Sequence, residues 1–214
     1  MPRTLLFAAL LPLFACDRTE VPYTEAGVEA PVDPYTLPTR AGDYLTVVVE
    51  IPAGTNHKIE YHPEVGYVND TLSDGTARII NFLPYPGNYG FVPSTLMEAS
   101  RGGDGDALDV LVIGESVPTG TVLSVQPIAT LLLRDRGEID TKIIAVPADS
   151  TSRVYRADNF LDFSLGNDAA KRIIETWFLN YKGLGVVQLL RWEDEGYAWR
   201  EVDKWAMADT LPKR

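Results

Sequence analysis

The sequence predicts an α+β domain, mainly β, whose strands form a closed or nearly closed sheet. Three observations predict it. Short β-branched, apolar runs recur along the chain, with Gly, Pro, Asn and Asp between them at short intervals. Helical periodicity appears in only two segments, both late in the chain. The length of 214 residues, with 45% hydrophobic and 23% charged, suits one domain with a sizeable core.

The first strand is Tyr44–Ile51, an apolar run ended by Pro52. Further strands are predicted over Lys58–Tyr61, Gly66–Val68, Arg78–Phe82, Leu108–Ile113, Val122–Gln126, Ala129–Leu133, Lys142–Val146 and Val186–Arg191. Asp168–Lys182 reads as a helix, with Ala170, Ile173, Ile174, Trp177, Phe178 and Tyr181 at helical spacing. Asn167 caps its start and Gly183 ends it. A second helix is predicted over Tyr197–Asp209, with Trp199, Val202, Trp205 and Ala206 on one face. The tryptophans, Trp192 among them, are expected in the core or in helix packing.

Residues 1–16 carry one positive charge, Arg3, and then an apolar run from Leu5 to Ala15. That run is too short to span a bilayer and fits a signal-peptide core. Leu13-Phe14-Ala15-Cys16 resembles the lipobox of bacterial lipoproteins, in which the cysteine is lipidated. Residues 17–43, rich in Pro, Glu, Asp and Thr, read as a tether, and the folded domain is expected over 44–214. The expected location is therefore a membrane-anchored, exported one; a cytoplasmic enzyme with an unusual N-terminus is the alternative.

Cys16 is the only cysteine, which excludes an intrachain disulfide and a Cys-rich zinc site. A formal charge of −11 argues against nucleic-acid binding, which needs a basic surface. It also means that an anionic substrate requires local cations to invert the field.

Carboxylates gather in two clusters. The first is Asp104, Asp106 and Asp109, running into Val110-Leu111-Val112; the second is Asp135, Glu138 and Asp140, with Lys142 close by. Carboxylates this dense repel unless a cation neutralises them, and hard divalent cations prefer oxygen ligands. Metal-assisted chemistry on a phosphate-type anion is the leading reading. Taken alone, each cluster also fits something plainer. The first fits an acidic turn before a strand and the second a solvated hairpin tip. Glu50, Lys58 and Glu60 fit paired surface charges, which contribute little. Tyr85-Pro86-Gly87-Asn88-Tyr89-Gly90 fits a packed aromatic loop. Lys182 fits a favourable charge at a helix C-terminus. His57 and His62 lack an evident third metal ligand and read as surface or supporting groups.

Read in order, the blocks resemble the soluble family I inorganic pyrophosphatases. The opening segment is matched by Glu50-Ile51-Pro52-Ala53-Gly54 and Lys58-Ile59-Glu60, and the aromatic turn by Tyr85 to Phe91. The Asp-x-Asp-x-x-Asp hallmark is matched by Asp104, Asp106 and Asp109. The second acidic turn is matched by Asp135, Asp140 and Lys142, and the terminal helix by Tyr181-Lys182. Ala107 stands where the hallmark usually has Pro or Glu. Arg78, the counterpart of the family arginine, lies about one residue nearer Tyr85 than usual.

The resemblance implies a five-stranded, OB-like barrel with flanking helices, and hydrolysis of inorganic diphosphate with several Mg²⁺ ions, for which Mn²⁺ or Co²⁺ substitute. It implies metal ligation by Asp104, Asp109 and Asp140, with Asp135 and Glu50 holding further ions. It implies Asp106 as general base. Lys58, Arg78, Tyr89, Lys142, Tyr181 and Lys182 would bind phosphate, with Glu60 and Tyr85 in support. A homo-oligomer is expected. Two other functions compete: an exported metal- or phosphate-binding lipoprotein without catalysis, and a broader polyphosphate phosphohydrolase.

Overall fold

The computed structural model describes residues 32–207. They form a mainly-β structure with three helices. The strands are β1 (Arg40–Ala41), β2 (Tyr44–Ile51), β3 (Ile59–His62), β4 (Gly66–Asn69), β5 (Asn88–Phe91), β6 (Asp109–Val112), β7 (Val122–Asp135), β8 (Glu138–Pro147) and β9 (Val187–Glu193). The helices are α1 (Phe160–Gly166), α2 (Asp168–Asn180) and α3 (Glu195–Trp205). Seven strands share one sheet in the order β1-β2-β5-β6-β8-β7-β9, with β2 also paired to β7. β3 and β4 make a separate hairpin.

The central strands read as unbroken apolar runs because both of their faces are covered. Alternate residues enter different cores. On β6, Val110 and Val112 pack with α3 residues Val202 and Trp205, whereas Leu111 packs with Trp177 and Phe178 of α2. On β8, Ile143 and Ala145 join the first group and Ile144 and Val146 the second. The period of two along a strand produces this division.

Several expectations change. Val122–Gln126 and Ala129–Leu133 are parts of one long strand, β7. Pro127 does not break it, because the pairing with β8 slips between Pro127 and Ala129 and the missing N–H falls at that irregularity. Arg78–Phe82 is no strand; it makes only an isolated bridge between Ile79 and His57. The strand in this region is β5, which begins directly after the Pro86-Gly87 turn. Helix α1 was not predicted; it is one short element capped by Asn159, whose side chain accepts from Asp162 N–H. Asn167 stands at the start of α2 as expected, but its side-chain amide donates to the Arg156 carbonyl and caps nothing. Helix α3 starts earlier than predicted, at a cap formed by Asp194, and ends at Trp205.

Cys16 and residues 17–31 lie outside the described residues. The last part of the expected tether, from Val32 to Asp43, packs on the domain. Tyr35 lies tilted against Phe91 with ring centroids 4.6 Å apart and meets Tyr61 edge-on at 5.4 Å. Arg40 pairs with Asp203 of α3 at 2.6 Å, and β1 pairs with β2. An apolar aromatic within a polar stretch carries this docking. Among the described residues, no helix is long and apolar enough to cross a membrane.

Gly90 shows how closely the strands approach. A Cβ there would lie 1.9 Å from the Val48 carbonyl oxygen and 2.9 Å from Val49 Cα on β2. Gly90→Ala is therefore expected to cost about 3 kcal/mol or more, since rigid backbone must move. Denaturant unfolding checks this; a midpoint equal to wild type would mean that the two strands part freely.

Candidate active site

The site grows from one parallel register. Asp109 on β6 lies directly opposite Lys142 on β8, and Asp140, two residues earlier, shares the Lys142 face. The Lys142 ammonium consequently contacts both the Asp109 and Asp140 carboxylates. Burial alone would push this ammonium down; the two carboxylates outweigh it and hold it well above the ordinary lysine value. The Asp109 carboxyl is raised, by burial first and with Asp140 adding to it, although Lys142 opposes the shift. Tyr89 on β5 reaches the same spot, with the Lys142 ammonium 5.6 Å from its ring centroid. Burial and then Asp109 drive the Tyr89 phenol far up, so it is a hydrogen-bond donor throughout the neutral range.

The β7–β8 hairpin brings in Asp135, whose carboxylate pairs with Lys182 just beyond the end of α2. Aromatic packing fixes that helix end. Tyr181 stacks on Trp177 at 4.6 Å and 11°, and Tyr85 lies against the same indole at 4.6 Å. Trp177 Nε1–H donates to the Leu83 carbonyl at 2.8 Å, which ties the loop before Tyr85 to the helix.

Glu50, near the end of β2, accepts from Tyr61 N–H at 2.8 Å. Burial, aided by Asp109 and Glu60, raises its carboxyl to about 8. Lys58 and Glu60 pair at the start of the β3–β4 hairpin. Asp104 and Asp106 project from the loop before β6. Asp106 N–H donates to Asp104 Oδ1 at 3.0 Å, across Gly105 in the left-handed region at φ 91°. The Asp106 carboxyl is raised by burial, then by Asp104 and Asp109. It makes no ion pair among the described residues.

All these groups face one cleft of about 620 Å³. It is lined by Asp104, Asp106, Asp109, Asp135, Asp140, Glu50, Glu60, Lys58, Lys142, Lys182, Tyr85, Tyr89 and Tyr181. Arg78 is the one expected site residue not brought to it. Its guanidinium is held by Asp70 at 2.9 Å, and Asp70 also stands 3.7 Å from Lys58. His62 borders the cleft and His57 does not.

The inorganic pyrophosphatase family profile matches residues 47–208, which include every one of these side chains. The chain belongs to the inorganic pyrophosphatase family. It is 40% identical to the inorganic pyrophosphatase of Sulfolobus acidocaldarius over 146 residues, 67% of this chain and 77% of that one. It is 34% identical to the Agrobacterium fabrum inorganic pyrophosphatase over 179 residues, 80% and 89% of the two chains. The crystal structure of inorganic pyrophosphatase from Thermus thermophilus is similar at TM-score 0.68 and 31% identity, covering 80% of this chain and 95% of that one. Family membership at this level makes the chain an inorganic diphosphatase, a hydrolase of a phosphoric anhydride.

Tyr35, Tyr61 and Arg136, which the sequence does not single out, also line this cleft, as does Glu138, a member of the second acidic cluster to which no role is assigned. Tyr35 and Tyr61 carried no motif. Arg136 lies inside the second acidic turn, where its aspartates carry the motif and it does not.

The cleft residues fit a hard divalent cation. The donors are carboxylate oxygens, and Asp135 Oδ1 is buried without a hydrogen-bond partner. Among the described residues, no three such groups converge as a ready-made metal cage. Lysine ammoniums sit on the carboxylates instead, at Asp109, Asp140, Asp135 and Glu60. Positive charge is thus already required here, and the chain supplies a substitute for it from its own side chains.

Proposed function

We propose that this cleft hydrolyses inorganic diphosphate to two phosphates with Mg²⁺, by attack of water. The observation that carries this reading is the convergence of five aspartates with Lys58, Lys142 and Lys182 in one cleft. Asp104, Asp109 and Asp140 would hold the ions next to the attacking water, and Asp135 and Glu50 those arriving with substrate. When bound, Mg²⁺ neutralises phosphate charge and lowers the pKa of water.

The chain's own groups do the rest. Asp106, exposed to the cleft and free of lysine, takes the proton from the attacking water. Lys58, Lys142 and Lys182 bind phosphate oxygens, and Tyr89 and Tyr181 donate hydrogen bonds to them. Glu60 orients Lys58 through their ion pair, and Tyr85 supports Tyr89 at 5.4 Å between rings. Arg78 keeps a place in this scheme only as the partner of Asp70, at the edge of the site. The aqueous problem of a chain with charge −11 meeting an anion is solved locally by these cations. The expected barrel belongs to the same reading: β2–β7 pairing, which returns the run β2-β5-β6-β8-β7 to its start, supports a five-stranded, OB-like closure. Assembly into a homo-oligomer completes it and is checked by light scattering.

Steady-state turnover of diphosphate beside ATP and a phosphomonoester, with Mg²⁺, tests the reading. Diphosphate is expected to be much the best substrate. Equal turnover of ATP would favour a general phosphohydrolase, and no turnover with Mg²⁺, Mn²⁺ or Co²⁺ in folded protein would leave only a binding role.

Export and lipidation at Cys16 form a separate proposal, supported by Arg3, the apolar run to Ala15 and the lone cysteine. An acidic domain is repelled by anionic lipid, so acyl chains would do the holding, at ~0.8 kcal/mol per buried CH₂. Membrane fractionation of a bacterial host expressing the full chain should place the protein with membranes and release Cys16→Ser. If both variants stay full-length in the cytosol, the anchor does not exist.

A further inference from the structure

Four Lys and Arg side chains line the cleft: Lys58, Arg136, Lys142 and Lys182. Three are committed to carboxylates, Lys58 to Glu60, Lys142 to Asp109 and Asp140, and Lys182 to Asp135. The Arg136 guanidinium has no ion pair or ring contact among the described residues, and the residue is exposed. The adjacent Asp135 is already taken by Lys182, and Glu138 makes no ion pair with it.

Its position is also conformationally unusual. Asp135 pairs with Glu138, so Arg136-Gly137 is a two-residue hairpin loop. Its φ values are 50° at Arg136 and 99° at Gly137. Positive φ at both positions of such a loop favours Asn-Gly or Asp-Gly. A long cationic side chain is disfavoured there by backbone sterics, and such outliers gather at functional sites. Arg78, which the order of motifs would nominate, spends its guanidinium on Asp70 outside the cleft lining.

We propose that Arg136 is a substrate-binding residue, whose guanidinium makes a forked contact to the non-bridging oxygens of diphosphate. A planar guanidinium matches two phosphate oxygens at once, which a lysine does not. The inference rests on the reading of this cleft as the diphosphate site.

Arg136→Asn is the test, because Asn tolerates the left-handed backbone and preserves the turn. Its melting temperature is expected to equal or exceed that of wild type. With Mg²⁺ present, kcat/KM for diphosphate should fall roughly 10- to 100-fold, mainly through KM. Calorimetric binding of methylenediphosphonate, a non-hydrolysed analogue, should weaken by a similar factor. Arg134→Gln removes the same charge from the same hairpin at an exposed residue outside the cleft lining and should change neither quantity. Equal losses in both variants would reduce the effect to long-range field and overturn the contact. Wild-type analogue affinity in Arg136→Asn, alongside an inactive Asp106→Asn, would strike Arg136 alone. Full activity in Asp106→Asn would strike the cleft reading and this inference together.

Discussion

Asp106→Asn is expected to lower kcat about 10²–10⁴-fold, the usual worth of a positioned general base. KM, the Mg²⁺ requirement and the melting temperature should stay near wild type. The structure explains the separation. Asp106 is exposed, carries no ion pair, and meets the framework chiefly through backbone, its N–H donating to Asp104 and its carbonyl accepting from Met97 N–H at 2.8 Å. Changing one carboxyl oxygen to an amide removes proton acceptance and little else. Steady-state kinetics with a melting curve checks it. A defect confined to KM would assign Asp106 to binding instead.

Asp109→Asn is expected to act through the metal. The Mg²⁺ concentration needed for half-maximal activity should rise at least about tenfold, since one charged ligand at the centre of the cluster is lost. Stability should fall by only about 1–3 kcal/mol. Asp140 remains against Lys142, so the buried ammonium does not become unpaired, which would cost more. A metal-activation curve that overlays wild type would remove Asp109 from the metal shell.

Much of the candidate site is legible in the sequence because its groups lie on short, ordered motifs. Asp140 and Lys142 share a face by the period of a strand, and the parallel pairing of β6 with β8 then sets Asp109 beside Lys142. What the residues could not reveal was partner choice. The order before Tyr85 points to Arg78, yet its N–H donates to the Asp70 carbonyl at 2.7 Å and its guanidinium donates to the same residue's carboxylate. That contact spans a loop whose closure no local pattern announces. Arg136 was invisible for a related reason, since a residue in a hairpin tip reads as solvated until the tip is seen to border a cleft. In the fold, Pro127 reads as a strand boundary because a slip in register cannot be read from one strand alone. Helix α1 is too short for periodicity to show, and only its cap at Asn159 marked it. Tyr35 looked like part of a polar tether, although its ring finds Phe91 and Tyr61 once β2 and the β3–β4 hairpin are in place.

The central claim is that Asp104, Asp109 and Asp140, the last two now held by Lys142, form the core of the metal-binding set of a diphosphatase. Electron paramagnetic resonance titration of Mn²⁺ into the full chain tests it most directly, with wild type beside an Asp104→Asn, Asp109→Asn, Asp140→Asn triple variant. Saturable binding by wild type in the absence of substrate, displaced by excess Mg²⁺ and lost in a folded triple variant, is the predicted result. Undiminished binding by the triple variant, or none by active wild type, would contradict it.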